Sequence, residues 1–134
     1  MGFLFSVLCF SMLDFLWIKV VMLPIYQSSL KDILLTDLNG ALTIRTFPAF
    51  WAYAILLAAL WHFVINPHQY DSARVILKQG FLLGFFLYGT YALTCWTLFK
   101  GFNAYLVIAD MLWGGTIFAT TSLLTCKVLN FLAR

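Results

Sequence analysis

The sequence predicts an all-α fold, a four-helix transmembrane bundle, and three observations carry that prediction. First, 63% of the 134 residues are hydrophobic and only 10% are charged, where an ordinary soluble domain carries about 25% charge. Second, four stretches, at about 3–24, 47–66, 76–98 and 104–126, are apolar over the roughly 20 residues that a helix needs to cross a bilayer. Third, the breaks between them hold helix breakers and turn formers: Pro24, Asn66-Pro67-His68 and Lys100-Gly101-Phe102-Asn103. Residues 1–134 therefore read as one integral membrane domain whose principal partner is the lipid bilayer.

Taken in order, the first stretch has no basic leader, is interrupted by Asp14 and is followed by no small-x-small cleavage site, so it reads as a retained span rather than a signal peptide. Pro24 is expected to close it. The first loop is the longest. In it Ser29-Leu30-Lys31-Asp32 has the form of a capping box, and Leu30, Ile33, Leu34 and Leu38 follow at near-helical spacing. A short amphipathic helix lying at the interface is expected there, ended by the Asn39-Gly40 turn. In the third span Gly80 and Gly84 form a small-x-x-x-small pair, with Gly89 beyond them. These glycines and Gly114 of the fourth span are candidates for close helix packing. The short turn at 100–103 makes spans three and four antiparallel neighbours.

Four spans put both termini on one side of the membrane. Arg74, Lys78, Lys127 and Arg134 fall on that side, and Lys31, Arg45 and Lys100 on the other. The positive-inside rule favours cytoplasmic termini, by one charge. Tyr26, Trp51, Trp96 and Tyr105 would form the aromatic belt at the opposite interface.

The same composition argues against several functions. The net charge of +3 is spread without a basic run, so nucleic acid is not an expected partner. Cys9, Cys95 and Cys126 lie in apolar stretches without C-x-x-C spacing and read as small buried hydrophobes. Glutamate is absent and histidine occurs only at His62 and His68, too few ligands for a zinc or diiron site. No metal or cofactor is expected, and no catalytic residue is identified.

Four ionisable residues within the spans need an account: Asp14, Lys19, His62 and Asp110. Each costs at least about 2.5–3.5 kcal/mol at mid-membrane, so such groups face a bundle interior, pair, or line water. At about 1.5 Å per residue, Lys19 in span one and Asp110 in the oppositely directed span four reach the same depth, which predicts an ion pair. Asp14 and Lys19 are five residues apart, about 140° around the helix, and do not pair with each other. Asp14 instead shares the middle of the membrane with Tyr88 and Tyr91, which fall with Cys95 on one helical face. Thr90, Thr94 and Thr97 form the adjacent stripe. His62 reads as an interfacial histidine. Asp14, Tyr88, Tyr91 and Asp110 are thus the candidates for a ligand or proton site. The same residues also suit a purely structural role, holding helices together. The tetrad Asp-x-Leu-Trp occurs twice, at 14–17 and at 110–113.

The runs "LDFLW", "PAFWAYAILLAALWHFVINP" and "YGTYALT", followed by "TLFKGFNAYLVIADMLWGG", resemble the domain-of-unknown-function family twenty-one seventy-seven, over nearly the whole chain. The resemblance implies a small four-span membrane protein and supplies no reaction. Where that family usually has Tyr-Asp-Leu-Thr-Asn in span three, this chain has Tyr91-Ala92-Leu93-Thr94-Cys95. Three functions are consistent with the residues. The first is binding or transport of a small or amphipathic ligand, with proton coupling at Asp14. The second is a non-catalytic subunit of a homo-oligomer or larger membrane complex. The third, which the missing motifs argue against, is a lipid-modifying enzyme.

Overall fold

Four helices carry the chain in a computed structural model that describes residues 1–30, 34–39 and 43–133. They are α1 (Gly2–Ser28), α2 (Thr46–His68), α3 (Ala73–Leu98) and α4 (Ala104–Leu132), each long and apolar enough to span a membrane. There is no β-strand among the described residues. Each of the four expected apolar stretches falls within one of these helices.

Pro24 does not end the first helix. The helix passes through it to Ser28, and it does so by opening into a π turn at Ile18–Met22 immediately before the proline. Helix α2 repeats the device, with a π turn at Trp61–Ile65 ahead of Pro67. A proline offers no N–H to the carbonyl four residues back, and its ring crowds that carbonyl. Here the carbonyls belong to Val20 and Phe63, both inside the widened turns. Opening the helix by one residue relieves the clash without breaking the rod.

Residues 31–33, on which much of the expected interfacial helix falls, lie outside the described residues. The described residues 34–39 form a bend and a turn rather than a helix. Thr43 N–H donates to the Leu35 carbonyl at 2.9 Å and closes this excursion. Gly101, at φ 90°, takes the left-handed conformation that reverses the chain between α3 and α4. Asn103 then caps α4, its side chain accepting from Leu106 N–H at 3.1 Å.

Helices α3 and α4 pack more extensively than any other pair, and glycines allow it. A Cβ on Gly80 would meet the Ala119 backbone at 2.8 Å, one on Gly84 would run into the Gly114 carbonyl, and one on Gly114 would enter the Tyr88 ring. Gly89 differs, since its neighbour is the flexible end of Met111 at 3.0 Å. The most enclosed helix is α4, with 56% of its most apolar stretch buried against 17–22% for the other three. It is the axis around which they gather.

Two apolar clusters result. One, nearer the chain termini, joins Phe10, Leu60, Val64, Ile117 and Phe118. The other, nearer the α3–α4 turn, joins Met22, Ala92, Cys95, Leu106 and Val107. The outward side chains, among them Phe3, Leu8, Phe15, Phe50 and Ile55, are exposed and apolar, as a lipid solvent requires. Thr90, Thr94 and Thr97 form an exposed stripe on α3, and each hydroxyl donates at 2.8–2.9 Å to the carbonyl one turn back. That stripe is satisfied within its own helix and needs no partner.

Candidate functional site

Between the two clusters, the Asp14 carboxyl receives one hydrogen bond from each of the other three helices. Tyr53 of α2 donates its hydroxyl to Oδ2. Tyr88 of α3 donates to Oδ1 at 3.3 Å, and Trp113 Nε1 of α4 donates to Oδ1 at 3.1 Å. Asp14 is 6% exposed. The rings that supply these donors are themselves held in place. Phe10 packs edge-on against both Tyr53 and Phe118, and Tyr88 edge-on against Phe118. Trp17 stacks on Trp113 with centroids 4.5 Å apart and planes within 4°. A buried carboxylate is tolerated when its lone pairs are met by donors, and here the whole bundle meets them.

Asp110 is also buried, at 5% exposure, but among the described residues it makes no hydrogen bond and no ion pair. Its electrostatic neighbours include Asp14, Tyr26, Tyr88 and Tyr91. Trp17 Nε1 is enclosed and, among the described residues, has no hydrogen-bond partner.

Of the residues that the sequence singles out, Asp14 and Tyr88 come together. Tyr91 does not join them. It is 59% exposed on the outside of α3 and lies near Cys95 and Asp110 instead. The expected Lys19–Asp110 ion pair is not formed. Lys19 is exposed, with Nζ 5.9 Å from the centroid of the Phe15 ring. The reason is the same 140° that separates Lys19 from Asp14: once Asp14 faces the interior, Lys19 faces out. Equal depth is necessary for a pair, but the azimuth decides it. Lys19→Met should therefore change thermal stability in detergent by less than about 0.5 kcal/mol or raise it, as for an exposed substitution. A loss of several kcal/mol would restore the pair. His62 is exposed on α2, edge-on to Phe63. Ala92 and Cys95, where the chain departs from the pattern noted above, are both buried beside Leu106 and Val107.

Sequence reasoning missed Tyr53, Trp113 and Trp17. The two tryptophans were within reach, since both close an Asp-x-Leu-Trp tetrad. Tyr53 was hidden by depth arithmetic: it sits about four residues, roughly 6 Å, nearer its membrane edge than Asp14 does. A long phenol spans that difference.

The family model DUF2177, described as a predicted membrane protein, matches residues 1–127 of the chain. No curated relative and no solved structure matches it.

Proposed function

The chain belongs to the DUF2177 family of predicted membrane proteins, and on that premise we propose that it binds or transports a small or amphipathic ligand in a polar mid-membrane interior, exchanging protons at Asp14 and Asp110. The observation that carries the reading is that two carboxyls lie buried inside the spans and neither forms an ion pair among the described residues. Buried acids without a basic partner hold protons, bind a ligand or contact water. Asp14 ties all four helices to one titratable group, so a change in its proton occupancy reaches every helix at once. Cytoplasmic termini, on the charge distribution above, complete this reading.

Trp113 bonds directly to Asp14, so its emission reports on that carboxyl. Titrating the purified protein in detergent from about pH 2.5 to pH 9, a range bracketing unperturbed aspartate and histidine values, should give a reversible change in tryptophan emission. Asp14→Asn should abolish the change, and Trp113→Phe should remove most of it. Emission that is flat with pH, or that titrates equally in Asp14→Asn, would sink proton exchange at Asp14.

A second reading, as a non-catalytic subunit of a larger membrane complex, is supported by Lys19, a cation exposed on α1 inside its span. It would pair with a partner's acid. Under that reading one stoichiometric protein co-purifies with the chain and is lost in Lys19→Met.

A further inference from the structure

Asp14 has a counterpart. The tetrads at 14–17 and 110–113 sit on helices that run in opposite directions, for Gly2 lies against Leu129, Phe10 against Phe118 and Asp14 against Trp113. The same register brings Trp17 level with Asp110. The stacked rings of Trp17 and Trp113 mark the centre of this near-twofold arrangement. Trp113 crosses to the acid of the other helix, donating to Asp14. Trp17 crosses the other way and packs into the apolar cluster that holds Leu106 and Val107, one turn before Asp110. Tyr53 and Tyr88 serve Asp14, while Tyr26 and Tyr91 are electrostatic neighbours of Asp110. One acid and one indole occur twice, and phenols lie near both acids, Tyr88 near each of them.

The two sets differ in one respect. Around Asp14 the donors and acceptor meet. Among the described residues the Trp17 N–H of the second set is enclosed with no acceptor, and the Asp110 carboxyl, on a buried residue but with oxygens not fully enclosed, receives no donor. Groups of this kind left unmet carry a desolvation penalty, larger for a charged group. One molecule that satisfies both must accept from the indole and donate to the carboxylate. An ammonium only donates. A carbonyl or an ether only accepts. A hydroxyl does both through a single oxygen.

We propose that Trp17 and Asp110 hold a hydroxyl group between them, that of a water molecule or of an amphipathic alcohol entering from the lipid past the exposed Tyr91. This deepens the functional reading above and rests on it: the ligand is hydroxyl-bearing, and its contact is Asp110, with Asp14 organising the bundle.

The test is nitrogen-15 NMR of the indole N–H groups in the full chain, in detergent, with Trp17 and Trp113 assigned by single Trp→Phe substitutions. The probes are water itself and 1-decanol, with decyl methyl ether as the analogue that accepts but cannot donate. The expected result is a cross-relaxation peak from the Trp17 indole proton to water, or to added decanol and not to the ether. It should disappear in Asp110→Leu while the Trp113 indole resonance stays in place, which shows that the fold is retained. A peak to water identifies the occupant as solvent, and a peak to decanol as an amphipathic alcohol. Should Asp110→Leu fail to fold, Asp110→Asn is used instead, and a shifted Trp17 resonance is the expected outcome. A Trp17 proton with no peak to either probe, or one unmoved by substitution of Asp110, overturns the proposal. Failure here with an intact emission titration at Asp14 removes only the hydroxyl site. A flat titration with an occupied Trp17 removes only the proton-exchange reading.

Discussion

Asp14→Leu is expected to destabilise the bundle by about 2–5 kcal/mol, taking its three hydrogen bonds at between the average of about 0.6 and the maximum of about 1.7 kcal/mol found for interhelical bonds in membranes. The loss has two parts. The bonds from Tyr53, Tyr88 and Trp113 go, and three donors are then left in an apolar interior without an acceptor. Asp14→Asn should cost less, because its carbonyl still accepts from one side while its amide opposes a donor. Asp110→Leu is the contrast. Asp110 receives no hydrogen bond among the described residues, so its replacement should be neutral or stabilising. Equilibrium unfolding in mixed detergent, read by tryptophan emission, ranks the three variants. Equal losses at Asp14 and Asp110 would contradict the division of roles between a bonded acid and an open one.

The second large effect is expected at Gly84. An alanine there puts its methyl into the Gly114 carbonyl, and because both sides of the contact are backbone, relief requires the helices to separate. Overpacking of a well-filled interior costs about 1–3 kcal/mol and sometimes more, and Gly84→Ala should lie at or above the top of that range. Gly80→Ala, against the Ala119 backbone at 2.8 Å, should fall in the middle. Gly89→Ala should be the mildest, since the Met111 side chain can move aside. The separation also reaches the polar site, because Gly114 is the surface on which the Tyr88 ring rests. Gly84→Ala should therefore weaken the Tyr88–Asp14 bond as well. Unfolding measurements that give the order Gly89 above Gly80 above Gly84 in cost would disprove the backbone contact.

How much of this was legible beforehand depends on the kind of information each feature needs. The four spans follow from hydropathy alone, because hydrocarbon admits few structures other than a helix with all its backbone bonds internal. Gly80 and Gly84 were legible as packing positions from their spacing. Asp14 with Tyr88 was legible from depth, a one-dimensional quantity. Lys19 with Asp110 satisfied the same depth rule and failed, because depth says nothing of azimuth. Pro24 was misread because a proline signals a missing bond and a clash, while the π turn that absorbs both is a choice made by the surrounding helix.

By itself, then, the sequence determined the membrane class, the number and order of the spans, the antiparallel turn between α3 and α4 and the presence of two acids where lipid would otherwise be. Each follows from local composition or from distance along one helix. Only the tertiary structure decided that, among the described residues, Asp14 collects a donor from each of three helices while Asp110 does not, and that Trp17 and Trp113 stack so that one indole is bonded and the other is not. The physical reason is that a hydrogen bond fixes distance and direction to within fractions of an ångström and tens of degrees. The rotation of each helix about its own axis sets that geometry, and that rotation is settled by how all four helices pack at once.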